Sequence, residues 1–177
     1  MKLILIGYRA TGKSTVGSLL AGKLEIPFWD TDSLVEEDQG MTIKEIIELQ
    51  GWDYFRVREK ETIQKLSRLN DGVVATGGGV VLLPENVALL KQMGPVVWIH
   101  ASLHDIIERL KSDVRSQSRR PNFTQENIIQ ETIAVLKQRI PLYEKTADFS
   151  VDTTGKSAEQ AATEIYEKIL KQKALSK

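Results

Sequence analysis

Lys13 and Ser14 stand side by side behind Gly7 and Gly12, and the stretch Gly7-Tyr8-Arg9-Ala10-Thr11-Gly12-Lys13-Ser14 fits G-x-x-x-x-G-K-[ST]. An aliphatic run precedes it and an amphipathic stretch follows, the strand and helix that this motif requires. Glycines let the backbone curl so that successive N–H groups point into one hollow, and the following helix adds its positive end. Such a hollow binds polyphosphate. Lys13 would reach the β and γ phosphates, and Ser14 would offer a hydroxyl to Mg²⁺, a hard cation that prefers oxygen. A plain glycine turn starting a helix leaves the paired flanking elements unexplained, so ATP or GTP is the expected ligand.

Other residues carry chemistry of their own. Asp30 and Asp32 follow a short apolar run. In extended geometry they face the same side, at the carboxyl edge of a sheet where α/β ligands bind. Two like charges there call for a cation or a proton; alternatively Asp32, just before Leu34 and Val35, is a helix N-cap. Arg56 and Arg58 lie near the start of a helix that begins about Gly51. Arginine grips a carboxylate through two parallel hydrogen bonds, so a carboxylated ligand is implied; the alternative is a surface ion-pair network worth about 0.3–0.5 kcal/mol per pair. Gly77, Gly78 and Gly79 end an apolar run. Three residues without side chains in a row imply close approach of some group to the backbone.

These groups need a scaffold. Short runs at Leu3 to Ile6, Pro27 to Trp29, Val73 to Thr76, Val96 to Ile99 and Phe149 to Val151 alternate with segments of helical period. That pattern predicts an α/β fold with a parallel sheet covered by helices on both faces. Val16, Leu19, Leu20 and Lys23 share one helical face, as do Ile43, Ile46 and Ile47. Ala158, Ala161, Ala162, Ile165 and Ile169 form the clearest apolar stripe. Ser112 to Asn122 breaks the pattern: it is polar, carries three arginines and ends in Arg120-Pro121-Asn122. A loop of that length in a compact domain reads as a working lid.

With 177 residues, 41% of them hydrophobic, the chain suits one compact domain with a sizeable core. Twenty-four basic and 24 acidic residues cancel, leaving no global attraction to nucleic acid or membrane, so an anion must be held locally. The absence of cysteine removes disulfides, thiolate metal sites and cysteine nucleophiles, and agrees with a reducing cytoplasm. The opening apolar run is too short to span a bilayer. A cytoplasmic monomer is expected.

Taken together, the P-loop, WDTDSLVEE at Trp29 to Glu37, FRVRE at Phe55 to Glu59, VATGGGVV at Val74 to Val81, RRP at Arg119 to Pro121 and RIPLY at Arg139 to Tyr143 resemble the shikimate kinase family. The resemblance runs from Lys2 to about Ile169. It implies a P-loop NTPase-type three-layer sandwich over residues 1–177, with five parallel strands in order 2-3-1-4-5, a substrate-binding region at about 32–60 and a lid at about 112–122. It implies transfer of the γ-phosphate of ATP to the 3-hydroxyl of shikimate, with Mg²⁺, in aromatic amino acid biosynthesis.

The resemblance also implies residue roles. Lys13, Asp32 and Arg120 would be catalytic, with Asp32 orienting or deprotonating the attacking hydroxyl and Arg120 swinging over the phosphates. ATP would be held by Ala10, Thr11, Gly12, Lys13, Ser14 and Thr15, with Arg109 stacked on the adenine and Thr154, Gly155 and Lys156 bordering it. Ser14 and Asp30 would form the metal shell. Asp32, Arg56, Gly78, Gly79 and Arg139 would bind shikimate, Glu59 supporting Arg56 and Arg58 standing outside. Solvated charge is the competing reading for Arg109 and Lys156.

Some positions depart from the family pattern. Arg120-Pro121-Asn122-Phe123 replaces the usual R-P-L-L, the segment from Arg109 to Arg120 is longer than usual, and Gly51-Trp52-Asp53 replaces glycine-glutamate, with Trp52 placed beside the substrate cleft. The rivals are a kinase for another small hydroxylated metabolite, such as gluconate or a nucleoside monophosphate, and a non-catalytic nucleotide-binding module. The first needs no pair of arginines aimed at one carboxylate; the second predicts loss of Lys13, Asp32 or Arg120, all of which are present.

Overall fold

The computed structural model describes residues 2–112 and 125–175. Five parallel strands form one sheet in the order β2-β3-β1-β4-β5: β1 (Lys2–Ile6), β2 (Phe28–Asp30), β3 (Gly72–Ala75), β4 (Val96–His100) and β5 (Phe149–Asp152). The helices are α1 (Lys13–Leu24), α2 (Thr31–Gln39), α3 (Ile43–Ser67), α4 (Pro84–Met93), α5 (Leu103–Ser112), α6 (Gln125–Thr146) and α7 (Ala158–Leu175), with a 3₁₀ turn at Val80–Leu82. The expected order and parallel pairing hold, with Leu3 opposite Val73 and Leu5 opposite Val97.

β1 is central and buried along its whole length, which is why its sequence from Leu3 to Ile6 runs apolar without alternation. Leu3 and Leu5 pack with Val16 and Leu20 of α1 and with Ala161, Ala162, Ile165 and Ile169 of α7. Ile4 and Ile6 point to the other face, against Ile63 and Leu66 of α3, Leu90 of α4 and Tyr143 of α6. Packed on both faces, the strand ends at Ile6 and hands the chain to Gly7 at the carboxyl edge of the sheet. A Cβ on Gly7 would collide with the carbonyl oxygen of Ile99, so β4 comes too close for any other residue there.

Two local features refine the expected helices. α3 opens with a capping box, Thr42 and Glu45 each satisfying the other's end, and is broken at Gly51, whose φ of 84° and ψ of 171° are not helical. The segment carrying Arg56 thus starts as a second helix after Gly51, as its position in the sequence suggests. α6 runs through Pro141 to Thr146. Proline removes one helical N–H, yet the following turn is held to the sheet by Tyr143, which is fully buried in the core and donates its hydroxyl hydrogen to the Gly78 carbonyl at 2.5 Å. Among the described residues no helix is long and apolar enough to cross a membrane.

Candidate active site

The P-loop curls as its glycines predict. Gly12 sits in the left-handed region at φ 94°, and Ala10 does so at φ 59° despite its Cβ. Thr11 Oγ1 and Lys13 Nζ both donate to the Tyr8 carbonyl, at 2.8 and 2.7 Å. Lys13 is buried and lies within the loop it closes. Ser14 and Thr15 follow on the exposed first turn of α1, and Ser14 Oγ donates to Asp30 Oδ2 at 2.5 Å.

Arg109, near the end of α5, bridges this loop to the segment after β5. Its guanidinium donates to the Ala10 carbonyl at 3.3 Å and to the Thr153 carbonyl and hydroxyl at 3.0 and 3.2 Å. Asp105 accepts from Arg109, from the Gly155 N–H at 3.0 Å and from the Ser102 hydroxyl at 3.0 Å, and the Gly155 and Ser102 hydrogen bonds, with a smaller pull from the Arg109 charge, hold its carboxyl below the ordinary range. Thr154 accepts from the Ser102 N–H. Lys156 pairs with Glu164 of α7 at 2.7 Å. Arg119, Arg120, Pro121 and the remainder of the expected lid past Ser112 lie outside the described residues.

Across from the phosphate hollow is a cavity of about 320 Å³ whose wall includes Asp32, Arg56, Gly77, Gly78, Gly79 and Arg139. The two aspartates do not share one extended face. Asp30 ends β2 and caps α2, accepting from the N–H groups of Asp32 and Ser33 at 3.0 and 3.2 Å. Thr31 already begins the helix, so the chain rotates between the two carboxylates. One oxygen of Asp30 meets Ser14, while Asp32 lines the cavity. The N-cap is thus Asp30, not Asp32.

The glycine run is explained atom by atom. A Cβ on Gly77 would lie 2.5 Å from Asp32 Oδ1 and 2.8 Å from Glu59 Oε1, and one on Gly79 would land on the Arg56 guanidinium. Gly77 is further anchored by its N–H to Thr31 Oγ1 at 3.0 Å. Arg56 donates to Glu59 Oε2 at 2.7 Å and lies over the rings of Trp52 and Phe55, at 5.5 and 5.2 Å. Arg58 turns away to Glu61 and Tyr54. Glu59 is 1% exposed, and its Oε1 has no hydrogen-bond partner. Burial pushes its carboxyl up to about 7 against the pull of Arg56, with Asp32 adding to the rise. Burial likewise pushes the Tyr143 phenol up to about 12, opposed by Arg139, which is hydrogen-bonded to it.

The motifs do not point to Tyr8, Arg9 or Glu131, yet all three line the cavity. Arg9 donates to Tyr8 Oη at 3.1 Å and pairs with Glu131 of α6 at 3.5 Å. Arginine at a variable position of the P-loop was the available signal.

The family model for shikimate kinase matches residues 9–170. The shikimate kinase of Syntrophus aciditrophicus is 41% identical over 97% of this chain and 92% of its own. That of Geobacter sulfurreducens is 43% identical over 92% and 87%. Among solved structures, shikimate kinase from Acinetobacter baumannii in complex with shikimate superposes with a TM-score of 0.89 at 34% identity, covering 97% of this chain and 94% of that one. The Aquifex aeolicus enzyme gives 0.80 at 33% identity over the full length of both. With a P-loop facing a cavity whose wall includes Asp32, Arg56 and Arg139, and with these likenesses along nearly its whole length, the chain belongs to the shikimate kinase family, whose activity is the phosphorylation of shikimate in aromatic amino acid biosynthesis.

Proposed function

We propose that the 320 Å³ cavity holds shikimate and that the P-loop presents the γ-phosphate of ATP to its 3-hydroxyl. The observation that carries this reading is the gathering of Arg56, Arg139 and Asp32 on one small cavity that reaches Tyr8 and Arg9 of the P-loop. Two guanidiniums suit a carboxylate, and a carboxylate suits a hydroxyl donor. Gly78 and Gly79 line the same wall and bring backbone groups without side chains of their own to it.

In this reading the hydroxyl oxygen forms a bond to the γ-phosphorus as the bond to the ADP oxygen breaks, and Asp32 orients the hydroxyl and receives its proton. Phosphoryl transfer consists mostly of positioning and charge stabilisation. Lys13 exchanges its contact with the Tyr8 carbonyl for the phosphates, and Arg120 joins it from the lid. The backbone from Ala10 to Thr15 cradles the phosphates, and the Arg109 and Thr153–Lys156 wall borders the nucleoside. Ser14 and Asp30, whose oxygens already meet, fit a hard divalent cation; Mg²⁺ bound there would neutralise charge on the β and γ phosphates.

A coupled assay with ATP and shikimate tests the reading, with gluconate and AMP as competing acceptors. Turnover with shikimate alone is expected, reduced at least about a hundredfold in Asp32→Asn. Turnover with gluconate or AMP but not shikimate, or an unimpaired Asp32→Asn, would defeat it.

A further inference from the structure

Glu59 has more to do than brace Arg56. Its Oε2 accepts from Arg56, but Oε1 is unpartnered in a side chain that is 1% exposed, and Glu59 lines the cavity together with Asp32. Both carboxylates approach the point where a Cβ on Gly77 would sit. The charged groups acting on Glu59 are Arg56 from its own helix, Asp32 from α2 and Arg139 from α6. Arg9 and Tyr8 of the P-loop and Glu131 of α6 line the same cavity, Tyr143 of α6 binds the Gly78 carbonyl, and the Gly77–Gly79 turn brings no titratable group.

A carboxylated substrate arriving at Arg56 puts a second anion on a guanidinium that Glu59 already occupies. Two carboxylates in one desolvated hollow do not both stay ionised without cost. The incoming carboxylate has Arg139 as well; Glu59 has only half of its acceptor capacity satisfied. Protonation would also turn the unpartnered Oε1 into a donor able to reach the Asp32 side of the hollow.

We infer that binding of the substrate carboxylate at Arg56 is coupled to uptake of one proton by Glu59 from solution, returned when the product leaves. This rests on the reading that Arg56 holds that carboxylate. Because Glu59 lies near neutrality before binding, the uptake falls in the range just above neutral pH. Below it Glu59 is already protonated, so the affinity for shikimate weakens as pH rises, by up to about tenfold per pH unit.

The test is calorimetric titration of shikimate into the full chain slightly above neutral pH, in buffers of differing ionisation enthalpy, for the wild type, Glu59→Gln and Arg56→Ala. Uptake of at least about half a proton is expected in the wild type, and none in Glu59→Gln. Infrared difference spectra should show a protonated-carboxyl band appearing with shikimate, a measurement that needs no variant. Arg56-dependent binding without proton uptake or that band overturns the coupling and leaves the placement of the substrate intact, as does uptake that persists in Glu59→Gln. Binding indifferent to Arg56→Ala overturns the placement, and the coupling with it.

Discussion

The guanidinium of Arg56 occupies the space in which a side chain on Gly79 would begin: a Cβ there falls onto Nη2, with Cζ at 2.6 Å. The atoms met are the far end of a long side chain, which can give way only by leaving Glu59 on one side or the rings of Trp52 and Phe55 on the other. Gly79→Ala should therefore displace the arginine rather than the backbone. Losing a charged hydrogen bond of ~1.5–3 kcal/mol raises the KM for shikimate about ten- to a hundredfold. Steady-state kinetics should show the KM for ATP nearly unchanged, and a wild-type KM for shikimate would mean that Arg56 does not need this position.

Arg139 reaches the same cavity from α6, beyond the expected lid in sequence. Its removal takes away a cation that no neighbour replaces in kind, because Arg9 is engaged with Tyr8 and Glu131. Arg139→Ala should raise the KM for shikimate at least about tenfold and that for ATP far less. Equal effects on the two would count against a carboxylate clamp.

The sheet and the phosphate hollow were legible because they depend on local pattern: continuous apolar runs for buried parallel strands, and glycine-lysine-serine spacing for the loop. The glycine run was legible as close approach, but not what approaches; only the packing of α2 and α3 shows Asp32, Glu59 and Arg56 in those spaces. The split between Asp30 and Asp32 escaped the sequence reading because it assumed strand geometry to continue past Asp30, whereas the helix begins at Thr31. Period alone marks no such boundary to within a residue. The Arg9 to Glu131 link joins positions far apart in the chain, which no local spacing reveals.

Trp52 follows the helix break at Gly51, and it is 55% exposed. Its ring lies edge-on to Phe55 at 6.1 Å and under the Arg56 guanidinium. An exposed cation–π contact contributes about 0.5–1 kcal/mol. Trp52→Ala should thus raise the KM for shikimate about two- to fivefold by loosening Arg56, with only a small loss of thermal stability because more than half of the residue is exposed. A melting temperature that drops while the KM stays constant would make Trp52 a packing residue instead.

Glu59 should also make folding depend on pH. Its carboxyl titrates near 7 when folded, above the ordinary glutamate value, chiefly because burial penalises the charged form. The folded state therefore holds a proton over a range in which the unfolded chain has released it. Stability from this group is fully present below the unfolded value and is lost as pH rises toward 7, the whole shift amounting to about 3 kcal/mol. Glu59→Gln cannot titrate. It leaves Arg56 without an anionic partner, a fixed cost at every pH, while removing the slope. Urea denaturation of both proteins from mildly acidic to mildly alkaline pH should show the wild type losing stability relative to Glu59→Gln as pH rises and levelling off above neutrality. A difference that stays constant across that range would mean that the Arg56 pair holds Glu59 ionised throughout, and that burial does not govern its charge.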